Sequence, residues 1–152
     1  MKLEPISPQT CIVRNTGAQK GRTHFVVPGT KASRQLRYGR IILDAHNPPL
    51  RFETSEFEVG LIALAGSGSV RVGDTITVLD RYDALYVPRD SSIEVSAGPQ
   101  GCDLAEVAAP VTKRHALQVV RFADVQRDPG LHFQTGGPAA RRDLNVLIGK
   151  NV

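Results

Sequence analysis

The feature that most constrains this chain is a two-residue alternation of apolar and polar side chains through its middle. In Ser69-Val70-Arg71-Val72 the valines share one face, and in Thr75-Ile76-Thr77-Val78 the apolar pair does the same. Ser92-Ile93-Glu94-Val95-Ser96 repeats the pattern. Successive side chains of a strand point to opposite faces, so this period predicts half-buried strands and excludes helix. Turn-forming residues punctuate the pattern: Gly73-Asp74, Asp80-Arg81, Pro88-Arg89-Asp90 and Gly98-Pro99-Gln100-Gly101. Strands recurring about every ten residues predict an all-β sandwich or barrel. The 14 glycines and 10 prolines are scattered without a period, as turns require.

Further strands are predicted at Thr23–Val27, Leu36–Leu43, Val59–Leu64, Ala84–Val87, Leu104–Ala108, Ala116–Arg121 and Asp143–Ile148. Val59–Leu64 is almost wholly apolar and is expected to be buried on both faces. One short helix is expected, at Phe122–Arg127, and Gly136–Ala140 reads as a loop. With 152 residues and 41% hydrophobic composition the chain suits one core. The expected organisation is an N-terminal arm with the first strands (1–35), a barrel (36–135), and a linker and strand (136–152).

Charge is segregated along the chain. Residues 1–51 hold nine Lys/Arg against two Asp/Glu, residues 52–110 three against ten, and residues 111–152 seven against three. The net +4 thus hides an acidic centre between basic flanks. That is the pattern of flanks wrapping a centre, not of a single basic footprint for nucleic acid. No segment has the length or apolarity of a membrane helix, and residues 1–8 lack the apolar stretch of a signal peptide. Cys11 and Cys102 form no C-x-x-C pair, and a reduced, cytoplasmic protein is expected.

Few residues are arranged for chemistry. Gly66-Ser67-Gly68 lacks the third glycine and the following helix of a dinucleotide loop, and reads as a tight turn between two strands. His24, His46, His115 and His132 stand apart, with no local metal-binding pair. Glu53, Glu56 and Glu58 lie along one extended segment; a shared face of three acids could bind a metal, but without histidine beside them a wet surface or a barrel mouth is expected. Lys113-Arg114-His115 reads as solvated loop charge.

The run from Glu58 to Gly73 resembles the first motif of the cupins, and Asp83–Ile93 resembles their second. Counting back from Gly66 sets the motif's glutamate at Glu58 and its two histidines at Phe52 and Thr54; the histidine of the second motif falls on Ile93. The resemblance therefore implies a cupin-type double-stranded β-helix barrel whose metal site is erased, since Phe, Thr and Ile cannot replace imidazole. More specifically, Gly66-Ser-Gly-Ser-Val70, Arg81-Tyr-Asp-Ala-Leu-Tyr-Val-Pro88 and Arg141-Arg-Asp-Leu-Asn145 are similar, in order and spacing, to words of the bicupin uronate isomerase family. That family includes 5-deoxy-glucuronate isomerase and 4-deoxy-5-hexosulose-uronate ketol-isomerase, and the similarity covers roughly residues 36–152.

The resemblance implies that this chain corresponds to the family's N-terminal cupin, with zinc or another divalent metal and the catalytic groups in a second, C-terminal cupin. It implies a small sugar acid as substrate of the full-length protein, homo-oligomer formation, and neither nucleic acid nor membrane as partner. No catalytic, metal or cofactor residue is assigned in this chain. Arg141 and Arg142, at the approach to the second domain, are the candidate carboxylate contacts, because guanidinium matches a carboxylate bidentately. In the rival reading, a stand-alone cupin for a carbohydrate-like ligand, Glu58 and Tyr86 would line the barrel mouth. The apolar run Leu144–Ile148 would be a bare strand edge without a further domain, so a continuation of the gene past Val152 is expected.

Overall fold

The computed structural model describes residues 7–30 and 33–149; the ends of the expected N-terminal arm and C-terminal linker lie outside these. Ten strands carry the fold: β1 (Gly21–Val26), β2 (Arg37–Leu43), β3 (Leu50–Glu53), β4 (Phe57–Val72), β5 (Thr75–Leu79), β6 (Ala84–Val87), β7 (Ser92–Pro110), β8 (Gln118–Val120), β9 (His132–Thr135) and β10 (Arg142–Asn145). Eight join in one antiparallel sheet in the order β1-β2-β7-β4-β6-β8, with β3 added to β7 and β5 to β4; β9 and β10 form a separate ribbon. The hydrogen-bonded path ends at β1 and β8 and does not close.

Two long strands organise the sheet. β4 and β7 pair along nearly their whole length, from Phe57↔Pro110 to Val72↔Ile93, with register shifts between Ala63 and Ala65 and between Gly66 and Gly68. The expected turns at Gly66–Gly68 and Gly98–Gly101 are therefore bends inside continuous strands, not strand ends. An irregularity of this kind unpairs residues and changes which parity faces inward. Before the bend Val59, Leu61 and Ala63 are the fully buried residues of β4; after it Val70 is. In β7, Ile93 and Val95 face inward before the bend, and Cys102, Leu104 and Ala108 after it. The sheet thereby folds over a single core that also takes Ile41, Leu43, Leu79, Leu85 and Val87.

Burial of Val59–Leu64 on both faces is not what forms. Gly60, Ile62 and Leu64 are only half-buried, because the outer face of β4 carries a thin second layer. There Ile62 packs with Ala84, Val120, Val125, Leu131 and Leu147. That contact and the hydrogen bond from Val146 N to Leu131 O (2.8 Å) occupy the C-terminal apolar run, which is strand only over Arg142–Asn145. Among the described residues two short helices form instead of one: α2 (Phe122–Val125), as expected, and α1 (Pro8–Cys11). The second is a local product of Ser7, which completes a capping box with Thr10 ahead of a proline that fits the first helical turn. No helix of the described residues is long and apolar enough to cross a membrane.

Candidate functional site

The interior of the sheet holds one charged group where the alternation calls for an apolar one. Glu106 sits between Leu104 and Ala108 on the inward face of β7 and is 0% exposed. A buried carboxylate needs countercharge and donors, and two neighbouring strands, β1 and β2, supply them. Gly39 of β2 is the cross-strand partner of both Glu106 and His24 of β1, so the three line up across the sheet. Arg22 lies two residues before His24 and therefore on the same face. Its Nε and Nη2 donate to the two oxygens of Glu106, each at 2.7 Å, in a bidentate fork. His24 Nε2 lies 3.2 Å from Oε1. Gly39 is required for this: a Cβ there would stand 2.8 Å from the His24 ring and 2.4 Å from the Thr23 carbonyl oxygen.

Arg37, on the other side of Gly39, completes the cluster. Its Nη2 approaches Oε1 of Glu106 only to 3.8 Å. Both guanidiniums lie over phenyl rings: Arg22 is 3.6 Å from the centroid of Phe52, and Arg37 is 4.1 Å from that of Phe57. Burial pushes the Glu106 carboxyl up, but the hydrogen bonds and charges of Arg22 and His24 outweigh it and hold it below the usual carboxylate range. Burial pulls the Arg37 guanidinium below its ordinary value against the opposing pull of Glu106. The cluster thus sets two guanidiniums and an imidazole around a single carboxylate.

The positions that the cupin motifs give to metal ligands hold packed or hydrogen-bonded side chains instead. Phe52 and Ile93 are cross-strand partners on β3 and β7, and both pack into the core. Thr54 is buried, accepting from Ser91 N at 2.8 Å and donating to the Pro88 carbonyl at 3.1 Å. Glu58 points the other way, out of the core, because inward positions of β4 are the odd ones up to Ala63. The residues here do not fit a metal, and among the described residues no three His, Cys, Asp or Glu side chains are grouped to hold one. Glu53, Glu56 and Glu58 do not share a strand: Glu53 ends β3, Glu56 lies in the turn, and Glu58 is in β4.

Glu58 and Tyr86 do meet, at 2.8 Å, with the phenol donating to the carboxylate. Burial first, and then Glu58, push the Tyr86 hydroxyl up to about 12. They line no barrel mouth but a groove of ≈ 470 Å³ on the outer face, with Gly60, Ile62, Val107 and the segment Asn145–Ile148 around them. Arg141 and Arg142 do not line it; both are exposed, Arg141 donating to Gln134 Oε1 and Arg142 pairing with Thr135 across the ribbon. Asp83, within the Arg81–Pro88 phrase, accepts from Arg121 Nη1 (2.6 Å) and Phe122 N (2.9 Å), fixing β6 against the start of α2. Arg114 is not free loop charge: it donates to the carbonyls of Arg89 and Asp90.

Sequence reading missed Arg22, Arg37 and Glu106 and left His24 unassigned. The available signal was Glu106 itself, one acid in the otherwise apolar stretch Leu104–Ala108.

An open β-sheet folded over one core by two bent central strands defines a cupin. Similar solved structures share this fold: the cupin domain of Schizosaccharomyces pombe Cnp3 has a TM-score of 0.51 at 14% identity, over 59% of this chain and 64% of that one. Protein Ylba of E. coli has 0.57 at 14%, over 68% and 45%. Within the cupins the chain belongs to the KduI/IolB family, whose model matches residues 11–145. An IolB-like protein of Salmonella typhimurium LT2 has a TM-score of 0.72 at 17% identity, covering 91% of this chain and 52% of that one, so the chain spans about half its length. No curated protein matches the chain significantly.

Proposed function

We propose that the chain is the N-terminal cupin domain of a uronate aldose–ketose isomerase, the 5-deoxy-glucuronate isomerase of inositol catabolism, with the 4-deoxy-5-hexosulose-uronate isomerase of pectin catabolism as the alternative within the family. The reaction moves a proton between adjacent carbons, for which a metal polarises the carbonyl and a base carries the proton. In this reading a second cupin holds zinc or another divalent metal and the base. The present domain packs against it, contributes to a cytoplasmic homo-oligomer, and takes no catalytic part. The observation that carries the reading is that the family's fold is kept while Phe52 and Ile93 fill, as a packed core pair, two of the positions at which cupins hold metal.

The test is an assay of residues 1–152, and of the gene product including whatever follows Val152, with both uronates. The expected result is turnover only with the longer protein, and no stoichiometric metal on 1–152 after dialysis. Chelator-resistant turnover by 1–152, or one zinc per chain, would overturn it. A gene ending at Val152 would transfer the case to a stand-alone ligand-binding cupin.

A further inference from the structure

Arg37 is a side chain with donors and no acceptor. Its side chain is only 16% exposed, its Nε is buried without a partner, and none of its nitrogens makes a hydrogen bond to a described residue. Arg22 next to it shows what the same group does when satisfied, gripping Glu106 with Nε and Nη2. Glu106 does not serve both: its oxygens take the Arg22 fork and His24, and Arg37 Nη2 comes no nearer than 3.8 Å, beyond hydrogen-bond reach. Glu56, exposed in the β3–β4 turn, is felt by Arg37 through its charge but does not bond to it. An unmet buried donor costs about 1–3 kcal/mol, more when charged, so an arginine in this state is matched to something that arrives.

We propose that Arg37 is the anchor of an oxyanion site on the inner face of the sheet, and that its ligand is a small molecule bearing a carboxylate. The geometry selects that class. The cluster has one positive charge more than it can neutralise internally, which excludes a cation. The Phe57 ring covers one face of the guanidinium and leaves its edge, in the plane of which a planar carboxylate meets two N–H groups at once. Arg22 and His24 hold the two oxygens of Glu106, so its charge is already matched by theirs. The assignment goes beyond the isomerase reading, which gives this barrel no ligand.

The experiment follows the Nε–Hε signals of ¹⁵N-labelled 1–152 by NMR during titration with acetate, D-galacturonate, D-galactose and chloride. Saturable shifts of the Arg37 signal with acetate and D-galacturonate, absent with D-galactose and chloride, are expected. Arg37→Lys, which keeps the charge and loses the fork, should bind about tenfold more weakly, and Arg37→Met should not bind. Shifts with galacturonate alone also support the site and narrow its ligand to sugar acids. No saturable shift, an equal response to chloride, or unchanged affinity in Arg37→Lys would overturn the proposal. If Arg37→Met does not fold, the lysine variant and the chloride control still decide. Failure here leaves the isomerase assay of the longer protein untouched, because that readout does not involve this barrel's ligand.

Discussion

At the residue scale, Glu106 is the point on which the interior charge depends. Glu106→Gln leaves the Arg22 guanidinium, 18% exposed, without its partner; breaking such a pair from one side costs about 3–5 kcal/mol, readable as a lower urea midpoint. The pH dependence follows from the same pair. Because the folded carboxyl lies below its unfolded value, its contribution is fully present above the unfolded value and is lost as pH falls through the folded one. The wild type should therefore lose stability on acidification in the carboxylate range, and Glu106→Gln should lose less over the same interval. On the outer face, Tyr86→Phe removes one hydrogen bond from the half-buried Glu58 and should cost about 0.5–1.5 kcal/mol. Ultraviolet titration should find one of the three tyrosines ionising at about 12, a step that Tyr86→Phe removes. The cluster was illegible in sequence because Arg22 and Glu106 lie 84 positions apart, and only the β1-β2-β7 register brings them together. A lone acid among buried neighbours announces that a partner exists, not which one.

At the element scale, the alternation revealed the strands correctly but broke at the bends, where a parity change has the same sequence signature as a turn. Gly66 and Gly98–Gly101 are turn-like residues because the two backbones approach closely there. A Cβ on Gly66 would lie 2.2 Å from the Gly101 carbonyl oxygen, and its φ is +65°. Gly73, in the hairpin between β4 and β5, shares the positive φ, but a Cβ would meet nothing within 4 Å. Gly66→Ala should therefore cost more than the ~1–3 kcal/mol of conformational strain alone, and Gly73→Ala no more than that strain. Denaturant midpoints of the two variants separate steric from conformational cost. Ile93→Ala, in the core position opposite Phe52, should cost about 2–5 kcal/mol.

At the scale of the whole molecule, the segregated charge resolves as the sequence suggested. The basic N-terminal segment pairs with the acidic centre through Arg22–Glu106, Arg40–Asp103 and Arg51–Glu94, and the C-terminal segment does so through Arg121–Asp83. These pairs are also distant in sequence, and the pairing of β4 with β7 shares that property. β2 and β7 must find each other across the 50s to 90s of the chain before either buries its inner face. Closing such loops loses entropy ahead of any return in contacts, which places proteins dominated by non-local pairing in the millisecond-to-second range. Stopped-flow refolding should thus be slow, and Gly66→Ala should retard it if the bend forms with the central pair, or only hasten unfolding if it forms afterwards. The bent pair that shapes the interior is then also the clock of the molecule: until its two halves have met, the aliphatic residues of β4 have nowhere to hide, and the nascent chain depends on the acidic residues around them to stay apart from its neighbours.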